Sequence, residues 1–154
     1  MAVLFAFLFL ASLTVWVGSI VFFSFFATPA VLLTSPPAAA LRVAAPMTLS
    51  YLKLGWICGG IAMVSVLLLP PIEGLYSATR IVLVAVMFLI SLYLAFDIGA
   101  RVKQVEEAVN GAEGDDVPKS AVQEFESVRD VAGQLNGSLL LLGAIVVFIT
   151  AFYG

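Results

Sequence analysis

The chain contains no histidine and only one cysteine, Cys58, among its 154 residues. Histidine is the commonest metal ligand, a usual haem ligand and the side chain that titrates near neutral pH. One cysteine cannot form an internal disulfide. Soft ligands for Cu(I) are not clustered either, because Cys58 and Met63 are five residues apart and do not share a helix face. We therefore expect no catalytic residue, no bound metal and no cofactor.

Charged residues make up 11% of the chain, whereas hydrophobic residues make up 62%. A soluble domain usually has about 25% charged residues, and a core of this size could not bury so much apolar surface. Nothing in the sequence resembles the basic stripe of a nucleic-acid-binding protein. The composition therefore predicts an integral membrane protein that is surrounded by lipids and has no nucleic acid partner.

Four apolar stretches are long enough to cross a bilayer, which takes about 20 residues in a helix. We predict spans over residues 2–26, 47–69, 76–96 and 131–152, all within a single domain over residues 1–154. The first stretch lacks a basic n-region and exceeds the apolar region of a signal peptide in length. We therefore expect it to be a retained transmembrane helix.

Prolines mark the expected helix ends. Pro29 predicts a kink or an end of the first helix, since proline removes a backbone donor and clashes with the preceding turn. Residues 34–37 predict a break, and residues 38–45 predict a short helix that ends before Pro46. Residues 70–74 predict a tight turn between the second and third spans.

Apolar residues continue at helical spacing beyond the third span and ahead of the fourth. They are Ile98, Val102, Val105 and Val109, and then Val122, Phe125, Val128, Ala132 and Leu135. Residues 110–116 predict a flexible tip, and Pro118 suits the first turn of the next helix. The predicted fold is an all-α membrane protein, an antiparallel four-helix transmembrane bundle whose third and fourth helices extend into a hairpin over residues 97–130.

The distribution of basic residues predicts the orientation. Six of the seven fall on the side of the first and third loops, and only Arg80 falls on the other side. Cytoplasmic loops carry an excess of lysine and arginine, so the hairpin should be cytoplasmic and both termini should be outside. A bacterial inner (plasma) membrane is the expected location.

Small residues recur at a spacing that lets two helices approach closely. Gly55 and Gly59 form one G-x-x-x-G pair, and Gly133 and Gly137 form another. One interpretation is helix packing within the bundle. The other is a face for a partner helix or for a second copy of the chain.

The first helix carries a second candidate contact surface. This surface is a ridge whose residues recur at three- and four-residue spacing. They are Phe5, Phe9, Ser12, Trp16 and Ser19. A partner helix could enter the shallow gaps of such a ridge. The alternative is that lipid covers it.

Polar residues inside the predicted spans are few. Lys53 is the one charge placed well inside a span, and an intramembrane ionisable residue is a functional candidate. The alternative is that Lys53 snorkels to the cytoplasmic interface, which the neighbouring Tyr51 would suit. Asn136 and Gln134 are expected to form hydrogen bonds across helices.

Short segments resemble the small membrane proteins similar to transmembrane protein 205, whose bacterial relatives form a domain family of unknown function. Residues 16–18, residues 22–26 and Pro29 are similar to the opening of those proteins, and Tyr51, residues 54–55 and Gly59 to their second helix. Residues 101–102, Phe125, residues 135–136 and residues 141–143 are similar to their ending. The resemblance implies a four-helix membrane protein without an established reaction.

The sequence departs from that pattern at two positions. The family often has a histidine where Arg129 stands and a serine where Ala132 stands. Relatives that use a histidine therefore give no guide to activity here. The distant likeness of the family to copper-resistance and haem-biosynthesis proteins also carries no metal or haem site to this chain.

Two functions compete on this evidence. The first is a non-catalytic membrane subunit that packs against a larger membrane complex or helps to assemble it, through contact with another integral membrane protein or with itself. The alternative is a small oligomeric transporter or exporter, which Lys53 and four hydroxyl residues of the first helix support. Those residues are Ser12, Thr14, Ser19 and Ser24.

Overall fold

The computed structural model describes residues 2–69, 75–112 and 116–153, and the secondary structure of these residues is entirely helical. In chain order, the elements are α1 (Ala2–Val21), a π-helical segment (Phe22–Ala27), α2 (Thr28–Thr34), α3 (Pro37–Leu68), α4 (Leu75–Tyr93), a second π-helical segment (Leu94–Ile98), α5 (Gly99–Asn110) and α6 (Lys119–Tyr153). The turn predicted over residues 70–74 and residues 113–115 of the predicted tip lie outside the described residues.

Within the described residues, four helical stretches are long and apolar enough to cross a membrane. They are span 1 (Val3–Leu33), span 2 (Pro37–Leu68), span 3 (Ala78–Asn110) and span 4 (Lys119–Phe152). This finding confirms the prediction of an all-helical protein with four candidate spans.

The sequence predicted that the first span ends near Phe26 and that Pro29 marks a kink or an end of its helix. The helix does not end at either residue. It continues through the π-helical segment and α2 as far as Thr34. Pro29 has no N–H, and its ring would clash with the carbonyl of Phe25 in a regular α-helix. The wider π-helical turns precede that proline and relieve the crowding, so the chain remains helical. The break occurs at Ser35 and Pro36, which confirms the break predicted over residues 34–37, and Pro37 begins α3.

The prediction of a separate short helix before Pro46 was also wrong. Residues 38–45 are the first turns of α3, which runs through Pro46 without interruption. Five apolar residues of these turns are buried, namely Ala38, Ala40, Leu41, Ala44 and Ala45, and α3 packs against α5. This packing holds the turns in line with the remainder of α3, because their burial outweighs the backbone hydrogen bond that proline removes.

The continuation of the third span and the early start of the fourth were predicted correctly. The stripe of Ile98, Val102, Val105 and Val109 is buried, and Phe125 and Val128 are buried opposite it on α6. Arg101 Nε donates to Glu124 Oε1 at 2.6 Å and ties the two stretches together. Both side chains are at least one third exposed, so this ion pair contributes at most about 1 kcal/mol, and apolar burial dominates.

The buried apolar side chains form one continuous cluster. Its largest fully buried members are Trp16, Phe9, Leu13, Ile20 and Met87. Helix α3 contacts α1, α4 and α5, and α6 contacts α4 and α5. Many large apolar side chains also lie on the outer surface, which is the pattern expected where hydrocarbon rather than water surrounds the helices.

Candidate functional site: a lateral groove beside a buried polar triad

Three polar side chains from three spans meet beside the apolar core. Tyr51 Oη donates to Asn136 Oδ1 at 2.6 Å, and Asn136 Nδ2 donates to Ser24 Oγ at 3.2 Å. Tyr51 and Asn136 are 7% and 6% exposed. Buried polar groups in hydrocarbon need such partners, since each unpaired group costs several kcal/mol. We call these residues the polar triad.

The prediction for Asn136 is therefore confirmed, whereas Gln134 is exposed, and no side-chain hydrogen bond is recorded for it within the described residues. The partners of Asn136 were not predicted. Ser24 lies in the π-helical segment of span 1, and Tyr51 lies near the middle of α3. Their sequence separations from Asn136 are 112 and 85 residues, so no local pattern could have paired them.

A lateral groove of about 770 Å³ opens beside the polar triad, between the second half of span 1 and the first half of α6. Its lining consists of Phe23, Ser24, Thr28, Pro29, Leu32, Leu33, Thr48, Tyr51, Phe125, Val128, Arg129, Asp130, Ala132, Gly133, Gln134 and Asn136. Helix α3 contributes Thr48 and Tyr51 between the two walls. The volume falls within the range of about 300–1,000 Å³ that is usual for small-molecule sites.

The groove is apolar along most of its length and charged at one end. Phe23, Leu32, Phe125 and Val128 provide aromatic and aliphatic surface. Arg129 and Asp130 lie at the boundary where the polar first third of α6 meets its apolar remainder. The arrangement suits an amphipathic molecule with a polar head and an apolar tail. Among the described residues, no cluster of histidine, cysteine, aspartate or glutamate could hold a metal ion.

Gly55 and Gly59 form a socket for the indole ring of Trp16. A Cβ atom built on Gly59 would lie 3.1 Å from Trp16 Cη2 and 2.9 Å from Phe88 Cδ2, and one on Gly55 would lie 3.7 Å from Trp16 Nε1. This first glycine pair therefore accommodates an aromatic side chain of the same molecule.

The same contact corrects the interpretation of the ridge on the first helix. Phe9 and Trp16 are 1% and 0% exposed, so α3 and its neighbours already cover them. A partner helix cannot enter this part of the ridge. In a membrane protein an aromatic ridge on its own does not reveal whether it faces lipid or protein, because both environments are apolar.

Gly133 and Gly137 have the opposite environment from Gly55 and Gly59. Both are exposed, and a Cβ atom built on either would meet no atom within 4 Å among the described residues. The second glycine pair therefore does not pack against another helix of this chain. Gly133 also lines the groove, and Gly137 does not.

Lys53 is exposed on the outer surface of α3 and does not line the groove. It is thus separate from the polar triad, although Tyr51 of the triad is only two residues away. The arrangement agrees with a lysine that extends along the outside of the helix toward the membrane interface.

Two contact residues were missed from the sequence. A Cβ atom built on Gly143 would lie 2.8 Å from Val17 Cγ2 and 3.5 Å from Met87 Cε. No spacing signal in the sequence marks this contact, because Gly143 is a single glycine in a leucine-rich stretch. Arg80 entered the sequence analysis only through the orientation of the chain, but it is 3% exposed and its Cζ lies 5.9 Å from the centre of the Phe9 ring. Its lone position in an apolar stretch was the signal that could have marked it.

These features define a helical protein with four candidate membrane spans, an apolar lateral groove and a buried polar triad. The family described as domain of unknown function DUF4149 matches residues 11–110, which is more than half of the chain, and the chain belongs to this family. No curated protein and no solved structure matches the chain significantly. The matched residues include the span 1 and α3 sides of the groove, and the α6 side lies beyond them.

Proposed function

We propose that this chain is a non-catalytic accessory subunit that binds another integral membrane protein through the outer face of α6. The observation that supports this function is the open space above the exposed Gly137, which lies outside the groove. Leu141, Ala144 and Phe148 continue the same face at four- and three-residue spacing, and all three are exposed. Small residues with flanking apolar side chains allow close helix approach in lipid, where van der Waals packing drives association.

We further propose an antiparallel bundle in the bacterial inner membrane. Gly143 lies next to Val17 and Met87, whereas Glu124 pairs with Arg101. Along α6, residue 124 comes before residue 143, but their partners in the third span come in the opposite order, since Arg101 follows Met87. These contacts support neighbouring helices that run in opposite directions. The resemblance to the proteins similar to transmembrane protein 205 implies a four-helix membrane protein, and the distribution of basic residues favours a cytoplasmic hairpin with both termini outside.

The orientation can be tested with single cysteines in a Cys58→Ala background. A cysteine at position 74 should react with an impermeant thiol reagent applied outside intact cells, and a cysteine at position 114 should react only after permeabilisation. This result follows from the six basic residues on the side of the first and third loops. The reverse labelling pattern would invert the topology.

The partner proposal predicts that Gly137→Leu will remove a stoichiometric partner when the protein is purified from its native membrane in mild detergent. A leucine there has room in this chain, so the fold should survive while the close approach of a second helix is blocked. The matched control is Gly18→Leu on α1, since Gly18 is also exposed and a Cβ there meets nothing within 4 Å. The measurement is subunit stoichiometry by quantitative mass spectrometry.

Retention of the partner by Gly137→Leu would contradict this use of the α6 face. A wild-type assembly made only of copies of this chain would contradict the accessory-subunit function.

The alternative function is a small oligomeric transporter, and the structural feature that favours it is the groove rather than Lys53. Intact assembly in Gly137→Leu, together with a solute flux in liposomes that Gly133→Leu abolishes, would support the transporter.

A further inference from the structure

We propose that the lateral groove binds one phosphatidylethanolamine molecule, with an acyl chain between span 1 and α6 and the head group at Arg129 and Asp130. This inference does not rest on the accessory-subunit function. It rests on the depth of the groove, on the nature of its walls and on the two opposite charges at its outer end.

The depth of the groove matches one leaflet. Along α6, the lining runs from Phe125 to Asn136, which is about 16 Å of helix rise, and along span 1 the wall from Phe23 to Leu33 is about 15 Å. Half of the hydrocarbon core of a bilayer is also about 15 Å thick. A transmembrane partner helix would need a seam through the full thickness, whereas a lipid tail needs only one leaflet.

The walls leave room for an acyl chain because one position of the α6 wall has no side chain. Gly133 lines the groove, and a Cβ atom built there meets no neighbour within 4 Å. Phe23 and Leu32 form the opposite wall on span 1, and Val128 lies toward the charged end. The hydrogen-bonding groups of the polar triad are bonded to one another, so they require no polar ligand at the deep end.

The charges at the groove end fit a zwitterionic head group. Arg129 and Asp130 both line the groove and both are exposed. The ion pair between Arg101 and Glu124 involves neither of them. A guanidinium binds phosphate through two parallel hydrogen bonds. The adjacent carboxylate can accept hydrogen bonds from a primary ammonium, which phosphatidylethanolamine has and phosphatidylcholine and phosphatidylglycerol lack.

The test is native mass spectrometry of the delipidated full-length protein in detergent, titrated separately with phosphatidylethanolamine, phosphatidylcholine and phosphatidylglycerol of identical acyl chains. The wild-type protein should retain one phosphatidylethanolamine in preference to the other two lipids. Arg129→Gln should lower retention of all three lipids by about five-fold, the effect of one basic side chain at a membrane surface. Asp130→Asn should abolish the preference for phosphatidylethanolamine.

Two matched controls separate the groove from its surroundings. Gly133→Leu fills the groove and should reduce retention of phosphatidylethanolamine, whereas Gly137→Leu adds the same side chain outside the groove and should not. Lys103→Gln removes an exposed charge of α5 away from the groove and should behave like the wild type. Excess inorganic phosphate should not displace the lipid, since it has no acyl chain.

Equal retention by the wild type and Gly133→Leu would overturn the proposal, as would equal losses in Gly133→Leu and Gly137→Leu. Unchanged lipid preference in Asp130→Asn would contradict the assignment of the head group. The two proposals fail separately, because loss of a partner is measured in Gly137→Leu and loss of the lipid is measured in Gly133→Leu and Arg129→Gln.

Discussion

Replacement of Gly59 by leucine should lower the stability of the purified protein by about 3 kcal/mol or more, because overpacking a filled core usually costs about 1–3 kcal/mol and leucine adds four carbon atoms. The first added carbon would already lie 2.9 Å from Phe88 Cδ2 and 3.1 Å from Trp16 Cη2. The Trp16 ring cannot move aside because it is fully buried, and the half-buried Phe88 packs over the same glycine. The measurement is thermal unfolding in detergent, followed by circular dichroism.

The adjacent variant Gly60→Leu is the matched control. Its built Cβ lies 3.9 Å from Phe88, which is an ordinary contact, and it receives the same gain in helix propensity of up to about 1 kcal/mol. Trp16→Ala should cost less stability in the Gly59→Leu background than in the wild type, because the leucine fills part of the space that the indole ring vacates. Equal stability of the two leucine variants, or an additive loss in the double variant, would show that the socket is not tightly packed.

The four spans were predictable because their signal is local. A helix in hydrocarbon satisfies its own backbone hydrogen bonds, so about 20 apolar residues are nearly sufficient to specify it. The extension of the third span to Asn110 was predictable for a related reason. The stripe that ends at Val109 keeps its helical spacing after the apolar stretch has ended, and that spacing requires a protein surface to cover it.

The predictions for Pro29 and Pro46 failed because the rule behind them is local and the outcome is not, whereas the break predicted over residues 34–37 is present at Ser35 and Pro36. Pro46 lies inside α3, where the first turns are buried against other helices and hold the chain straight. Pro29 lies after a π-helical segment that widens the helix. The sequence around each proline contains no information about the neighbours that provide this compensation.

The two glycine pairs illustrate the same limit at the candidate site. Gly55 and Gly59 have the same spacing as Gly133 and Gly137, yet the first pair is buried under Trp16 and the second is open. A spacing of four residues establishes only that two small residues share a helix face. The groove was likewise not predictable, because it depends on the separation of span 1 from α6 rather than on any motif in either helix.

Asn136→Leu should destabilise the protein by about 2 kcal/mol, because each hydrogen bond between membrane helices contributes about 0.6 kcal/mol and an unpaired buried hydroxyl adds about 1–3 kcal/mol. Leucine is close to asparagine in size, so packing changes little and the loss reports on hydrogen bonds. Tyr51 Oη would lose its acceptor in a buried position, and Ser24 would lose its donor. Thermal unfolding in detergent again provides the measurement.

A double-mutant cycle with Tyr51→Phe isolates the bond between Tyr51 and Asn136. Tyr51→Phe should destabilise the wild type by about 1 kcal/mol, but it should have almost no effect in the Asn136→Leu background, where the tyrosine hydroxyl has already lost its partner. Gln134→Leu is the control, since Gln134 is exposed on the same helix two residues away, and its effect should be close to zero. Strictly additive losses in the cycle would mean that the 2.6 Å contact between Tyr51 and Asn136 contributes nothing to stability.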